Sequence, residues 1–326
     1  MKLAVYEWKK LLRLPALWVF LGLCLVFNLL LIAGLSLSDR AFFNETSATA
    51  EALGQRVDQA FQDGLAAMPP TENRALLRQS VSGMEDIFET YDTDELTEFY
   101  TEIVKSSPLA QKWMIWKYDR LAGRVAHLAE TDAALDLYAG PATHGSHQFL
   151  FGTLLRAVLC ESGIIAMLGT LYLLGYEGMH RTEGLAYAAR TGRRLRRIKV
   201  LAAIPASVAL YLLLALVSLT PYFLTWGDLT VAQYLLAFLA LGAGLTAVFS
   251  LLAAVCGILV RNTYFAALAA GVLCFGGLGV TSVLGEAGLW APYLVSNLQP
   301  TTLWLSCSGW FTELGLNAVL PWQETI

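Results

Sequence analysis

The chain has 326 residues, of which 56% are hydrophobic and only 15% charged, and its formal net charge is −4 at pH 7. Soluble domains usually contain about 25% charged residues, so this composition argues against a soluble enzyme. The hydrophobic residues also occur in long uninterrupted blocks, which indicates an integral membrane protein.

Basic residues precede the first apolar block, as they do in a secretory signal peptide. The block is too long for one, because the apolar region of a signal peptide has about 7 to 15 residues. We therefore predict a retained anchor. Residues 1–13 are expected to form an amphipathic helix at the inner membrane surface, with Pro15 at the change of direction. That helix carries Leu3, Tyr6, Lys9, Lys10 and Arg13.

Five apolar blocks have the length of a membrane span, since crossing a hydrocarbon core about 30 Å thick takes roughly 20 apolar residues. The blocks are residues 14–37, 149–175, 198–224, 231–260 and 264–284. We expect an all-α membrane protein with about five transmembrane helices, the last four forming a bundle over residues 149–284. Between the first two spans we expect a helical extracytoplasmic domain, residues 38–148.

Lys and Arg residues predict the orientation, because positively charged loops are retained on the cytoplasmic side. They cluster in the N-terminal segment, in the loop of residues 176–197 and at Arg261. This distribution places the N-terminus and that loop in the cytoplasm of a multi-pass plasma-membrane protein. Residues 38–148 and the tail of residues 285–326 are then extracytoplasmic.

Residues 38–148 show apolar side chains at helical spacing, which predicts three or four amphipathic helices. The helices are expected to share one small core or to pack against a second copy. Asp92 with Glu95 resembles a capping arrangement, and Ser107 followed by Pro108 indicates another helix start. The apolar stripes are Leu53, Val57, Phe61, Leu65 and Met68; Leu77, Val81, Met84, Phe88 and Tyr91; and Leu109, Trp113, Trp116, Leu121, Val125 and Leu128.

The chain lacks the motifs of common enzymes. There is no phosphate-binding loop of the G-x-x-x-x-G-K-[ST] type, no H-E-x-x-H zinc motif and no G-x-S-x-G nucleophile elbow. His144 and His147 have no nearby Cys or carboxylate, so they make a weak metal site. The cysteine positions do not indicate a disulfide framework. We therefore expect no enzymatic activity, no metal and no cofactor bound by this chain.

The loop of residues 176–197 admits three interpretations. It can be a basic cluster that contacts anionic lipid headgroups. A nucleic-acid patch is less favoured, because the loop is short, is fixed at both ends and has few stacking aromatic residues, Tyr187 among them. The third is a docking helix that Thr182 caps and Glu183 begins, with an apolar face of Leu185, Ala188 and Ala189.

The order of residues in this loop resembles that of permease subunits of type 2 ATP-binding-cassette exporters. There an acidic residue is followed by a Thr-containing short helix, then Gly-Arg and a Lys that opens the next span. The matching residues here are Glu177, Thr182, Thr191, Gly192, Arg193 and Lys199. The N-terminal helix and the insertion between the first two spans also follow the pattern, although family members usually have six spans. Residues 303–320 resemble the outer re-entrant helices that precede the last of them.

The resemblance implies a permease subunit that forms a substrate path with a second permease subunit, as a homodimer or heterodimer. ATP and Mg²⁺ would bind in a separate ATPase subunit. The loop would be the coupling helix that contacts this ATPase through Glu177, Thr182, Glu183, Leu185, Ala188, Ala189, Gly192 and Arg193. Lipid is an expected partner, and nucleic acid is not.

Arg156 and Glu161 lie inside the second apolar block. Charged residues within a span are costly and usually face a bundle interior or a watery cavity. Five residues at about 100° each separate the two by about 140° around a helix, so they do not pair directly. Glu161 therefore needs another partner or a proton. A substrate-path or gating role and a structural hydrogen bond between helices both remain open.

Two function classes are compatible with these observations. The first is the exporter permease. The second is a non-transporting membrane sensor or assembly protein, in which the outer helical domain binds a ligand or a partner. The loop pattern favours the permease.

Overall fold

The computed structural model describes residues 2–103, 108–137, 149–188, 192–226, 232–260, 262–286 and 295–305. Most of these residues are helical, and the prediction of an all-α membrane protein is confirmed. The chain divides into two compact units. The span unit contains the described residues up to Ala33 and from Thr153 onward, and the insertion unit contains the described residues from Gly34 to Gly152.

In chain order, the described elements are α1 (Lys2–Leu12), α2 (Pro15–Leu53), β1 (Arg56–Val57), α3 (Gln59–Ala67), α4 (Glu72–Val81), α5 (Ile87–Thr90), α6 (Thr93–Ile103), α7 (Pro108–Glu130), β2 (Leu135–Asp136), a π-helical turn (Phe149–Leu154), α8 (Leu155–Met179), α9 (Glu183–Ala188), α10 (Gly192–Trp226), α11 (Ala232–Leu259), α12 (Thr263–Phe275) and α13 (Gly277–Glu286). Residues 295–297 and 300–305 are also helical.

Four stretches of the described helices are long and apolar enough to cross a membrane. They are Pro15–Leu37, Phe149–Met179, Arg194–Thr225 and Leu235–Leu259. They coincide with the first four predicted spans. Pro15 is the first residue of α2, a position that proline favours because its missing N–H has no helical acceptor there. Helix α1 ends at Leu12, so a helix break lies directly before Pro15.

We predicted a fifth span over residues 264–284, but in the structure this segment is divided into two helices, α12 and α13. Helix α12 has 13 residues, which corresponds to about 20 Å and is shorter than a bilayer core. The break follows Gly276, whose N–H still donates to the carbonyl oxygen of Val272 at 3.0 Å. The N–H of Gly277 donates instead to the side-chain Oε1 of Gln299.

Side chains from residues 295–305 replace helical hydrogen bonds at this break. Gln299 Nε2 lies 3.4 Å from the carbonyl oxygen of Val272, and Thr301 Oγ1 donates to that of Cys274 at 2.8 Å. A Cβ atom on Gly277 would lie 2.6 Å from Gln299 Oε1 and 2.8 Å from the carbonyl oxygen of Ser296, so only glycine fits. Polar side chains thus satisfy the backbone groups at a helix break that periodicity alone does not predict.

Helix α8 packs against α10, α11 and α12 in the span unit. Glycines allow close approach between α8 and α11. The ring of Phe249 lies 2.9 Å from the position of a Cβ atom on Gly163, and the side chain of Leu171 lies 2.8 Å from that of Gly257. Small residues at such contacts are typical of helices that pack within a membrane.

The described part of the insertion unit contains two apolar clusters. The first joins α3, α4, β1 and β2 with the end of α2, and it contains Ala50, Val57, Phe61, Leu65, Leu77, Val81, Leu135 and Leu137. The second lies on α7 and contains Tyr118, Leu121 and Val125, with Tyr91, Leu96, Tyr100, Met114 and Leu128 packed against it. Trp116, part of a predicted stripe, is 45% exposed.

Polar side chains define the helix ends of the insertion unit. Asp92 accepts hydrogen bonds from the backbone N–H groups of Asp94 and Glu95, as the capping pattern predicts. Helix α7 begins at Pro108, at the predicted position. Arg78 donates to the carbonyl oxygens of Leu65, Ala66 and Met68, which stabilises the end of α3.

Candidate functional site

The loop of residues 176–197 contains the short helix α9, which begins at Glu183 directly after Thr182. The backbone N–H of Thr182 donates to the carbonyl oxygen of Glu177 at 2.9 Å, and Arg181 adopts a positive φ of 55°. These features reverse the chain at the end of α8 and start α9. Helix α9 contacts both α8 and α10, the two helices that the loop joins.

Most of the predicted coupling residues either lie at the surface or have side chains that the structure does not describe. Leu185 is 79% exposed, and Thr182 and Ala188 are also exposed. The backbone of α9 ends at Ala188, and that of α10 begins at Gly192. The remaining members of the predicted set lie where the structure describes no side chain; they are Glu183, Ala189, Gly192 and Arg193.

Glu177 has a different environment, because it lies in an ion network at the loop end of the span unit. Its Oε1 is 3.1 Å from Lys10 Nζ, and its Oε2 contacts Lys199 Nζ. Lys10 also pairs with Glu7 at 2.8 Å. The network therefore joins α1, α8 and α10, and it holds both helices that flank α9.

Two members of the network are almost completely buried. Glu7 and Lys199 are each 1% exposed, and Lys199 also donates to the carbonyl oxygen of Leu173. Buried charges are tolerated when they are paired and hydrogen-bonded, and removing one partner leaves an uncompensated charge. The network is thus a tightly specified connection between elements that are far apart in sequence.

Aromatic residues complete the contact of α1 with the span unit. Lys10 Nζ lies 4.4 Å from the ring centroid of Tyr176, and the indole N–H of Trp8 donates to the carbonyl oxygen of Ala202 at 2.7 Å. Partial burial of Lys10 lowers its pKa, but hydrogen bonds to Glu7 and Glu177 outweigh burial and raise the pKa above its ordinary value. Lys10 is therefore a stable cation in this network.

A second polar group lies inside the span unit, around Glu161. Asn28 Nδ2 donates to Glu161 Oε2 at 2.9 Å and to Ser218 Oγ at 3.0 Å. Asn28 comes from α2, Glu161 from α8 and Ser218 from α10, and all three are buried. We call these residues the Asn28–Glu161–Ser218 cluster. Arg156, which was predicted not to pair with Glu161, is exposed.

Further hydroxyl pairs connect α8 with α11. Ser162 Oγ lies 3.3 Å from Thr246 Oγ1, and Thr170 Oγ1 lies 2.7 Å from Ser250 Oγ. Each pair is buried, and each member satisfies its partner. These bonds explain interhelical packing, and they offer no free group to a ligand.

Sequence reasoning did not identify Glu7, Lys10 or Asn28 as site residues. Glu7 is the single acidic residue of an otherwise basic N-terminal helix, and Asn28 is the single amide in the first apolar block. An exceptional polar residue in each segment was therefore a usable signal. Glu177, the distant partner of Lys10, and Glu161, the partner of Asn28, lie more than 100 residues away along the chain, and periodicity cannot identify them.

The geometry combines an exposed short helix, an ion network behind it and a buried carboxyl cluster in the span unit. Comparisons with protein-family models, with curated proteins and with solved structures found no match to this chain.

Proposed function

We propose that this chain is the membrane-spanning permease subunit of an ATP-driven exporter of the type 2 ATP-binding-cassette kind. Its spans form part of a substrate path together with a second permease subunit. A separate ATPase, which holds ATP and Mg²⁺, drives the cycle through the cytoplasmic loop of residues 176–197.

The observation that carries this proposal is the exposed helix α9 with the ion network at its base. Leu185 is 79% exposed. A lipid-contacting basic loop does not require a short helix whose flanking helices are connected through Lys10, Glu177 and Lys199. A helix that receives force from a partner does require such a base, since a loose loop would absorb the movement.

The network also suggests how movement passes into the spans. Glu177 lies in α8 and Lys199 in α10, so a displacement of α9 acts on both helices. Lys10 extends the same connection to α1. In the proposed mechanism, docking of the ATPase on α9 shifts the ends of α8 and α10 together and changes the packing of the substrate path.

A test is affinity purification of the tagged chain in mild detergent, with mass spectrometry of the proteins that accompany it. We expect an ATPase with a phosphate-binding loop to co-purify with the wild type. Leu185→Glu should reduce its recovery at least tenfold, because burial of a leucine at an interface contributes about 2 kcal/mol. Leu76→Glu, which changes a half-exposed leucine of the insertion unit, is the matched control.

Recovery of the same amount of ATPase with Leu185→Glu as with wild type contradicts docking on α9. Absence of any ATPase from the wild-type preparation contradicts the permease itself.

The alternative function is a membrane sensor or assembly protein whose insertion unit binds a ligand or partner. The exposed apolar residues Phe99, Ile115 and Trp116 of that unit support it. In that case Leu76→Glu or a change at Phe99 alters the set of co-purifying proteins, whereas Leu185→Glu leaves the set unchanged.

A further inference from the structure

The Asn28–Glu161–Ser218 cluster contains more hydrogen-bond acceptors than donors. The amide Nδ2 of Asn28 supplies both of its donor hydrogens, one to Glu161 and one to Ser218. Its carbonyl Oδ1 is buried, and no described residue donates to it. The Glu161 carboxyl group also accepts a hydrogen bond from the Cys24 thiol, but it and the Ser218 hydroxyl oxygen still offer further acceptor sites. A group that completes this cluster must therefore be a donor.

The cluster also lacks a positive charge. No Lys or Arg among the described side chains lies within salt-bridge distance of Glu161, and Arg156 of the same helix is exposed. A carboxylate inside a helix bundle is costly unless a cation or a proton compensates it. The missing donor is thus expected to carry positive charge.

We propose that the Asn28–Glu161–Ser218 cluster binds an aliphatic primary ammonium group, which identifies the substrate class as apolar amines. An ammonium has three donor hydrogens, enough for both Asn28 Oδ1 and the Glu161 carboxylate. A single proton on Glu161 neutralises the charge but supplies only one donor hydrogen. Apolar spans surround the cluster, so a ligand that reaches it carries an apolar chain behind the ammonium.

The inference rests on the proposed function, because it places the cluster in the substrate path, but its test needs neither ATP nor the ATPase. The full chain is reconstituted in phosphatidylcholine nanodiscs, and binding of radiolabelled octylamine is measured against empty nanodiscs. We expect a saturable component that unlabelled octylamine displaces and that octanol, its uncharged analogue, does not.

Variants then locate the site. Glu161→Gln keeps the shape of the side chain and removes its charge, so saturable binding should disappear. Asn28→Leu should weaken binding roughly tenfold or more, since hydrogen bonds to charged groups are the strong ones. Ser162→Ala is the matched control, because Ser162 is a buried neighbour on α8 that pairs with Thr246, and its binding should equal that of wild type.

The proposal is overturned if wild type shows no saturable octylamine component, if octanol competes as well as octylamine, or if Glu161→Gln binds normally. The competition between octylamine and octanol on the wild type tests the proposal even if a variant fails to fold. Loss of amine binding with an ATPase still co-purifying refutes the ammonium site alone, whereas amine binding without any ATPase refutes the permease alone.

Discussion

Replacing Lys199 by methionine tests the ion network that supports α9. Lys199 is 1% exposed and contacts Glu177, which is itself largely buried. Methionine fills a similar volume, so the principal change is loss of a buried charge. Breaking a buried ion pair by removing one partner costs about 3 to 5 kcal/mol. In this variant Glu177 still contacts Lys10, although Lys10 also pairs with Glu7. We therefore expect a loss in the lower part of that range, about 3 kcal/mol.

The assay is reversible unfolding in mixed micelles with increasing denaturing detergent, followed by circular dichroism. The double variant Lys199→Met with Glu177→Gln should recover most of the lost free energy of unfolding, because replacing a whole buried pair by neutral groups is often nearly neutral. Glu7 and Lys10 then remain as a balanced pair. The cycle isolates the coupling between the two residues.

A single variant that loses less than about 1 kcal/mol would show that the pair is effectively solvent-exposed. A double variant as unstable as the sum of the two single variants would show that Lys199 and Glu177 do not interact. Either result refutes the network as the base of α9.

Two further predictions concern packing and topology. Gly242→Ala should destabilise the span unit by about 1 to 3 kcal/mol, because the new Cβ atom would lie 2.0 Å from the hydroxyl of Tyr211. Gly244→Ala is the control, because no atom lies within 4 Å of its new Cβ atom and stability should not fall. Equal unfolding curves for the two variants contradict this prediction. A cysteine at Ala129 should react with an impermeant thiol reagent in intact cells and one at Ala188 should not, since the positive charge of residues 176–197 predicts that this loop is cytoplasmic. The reverse labelling overturns the predicted topology.

Hydropathy was sufficient to predict the all-α class and the first four spans, because a membrane helix satisfies its own backbone groups and its length is set by the bilayer. The fifth segment shows the limit of this reasoning. Its composition is as apolar as that of the others, but Gln299 accepts a hydrogen bond from Gly277 and makes the break tolerable. A tertiary contact from 22 residues further along the chain does not appear in a hydropathy window.

The sites show a similar limit. The cost of charge in a membrane identified Glu161, and helical geometry excluded Arg156 as its partner. The actual partner, Asn28, depends on how α2 packs beside α8, which the sequence pattern does not contain. Glu177 was predicted as a coupling residue from its place in the loop, but its contacts with Lys10 and Lys199 join helices distant in sequence, which the loop pattern does not contain.

The dependence of Gly277 on Gln299 has a consequence for how the protein is made. Domains fold from the N-terminus during synthesis, and an unsatisfied backbone N–H within the hydrocarbon costs several kcal/mol. We therefore expect helices α12 and α13 to reach their final arrangement only after residue 299 has left the ribosome and contacted them. A chain cut between Glu286 and Gln299 would keep all five apolar blocks while losing the side chain that closes the break.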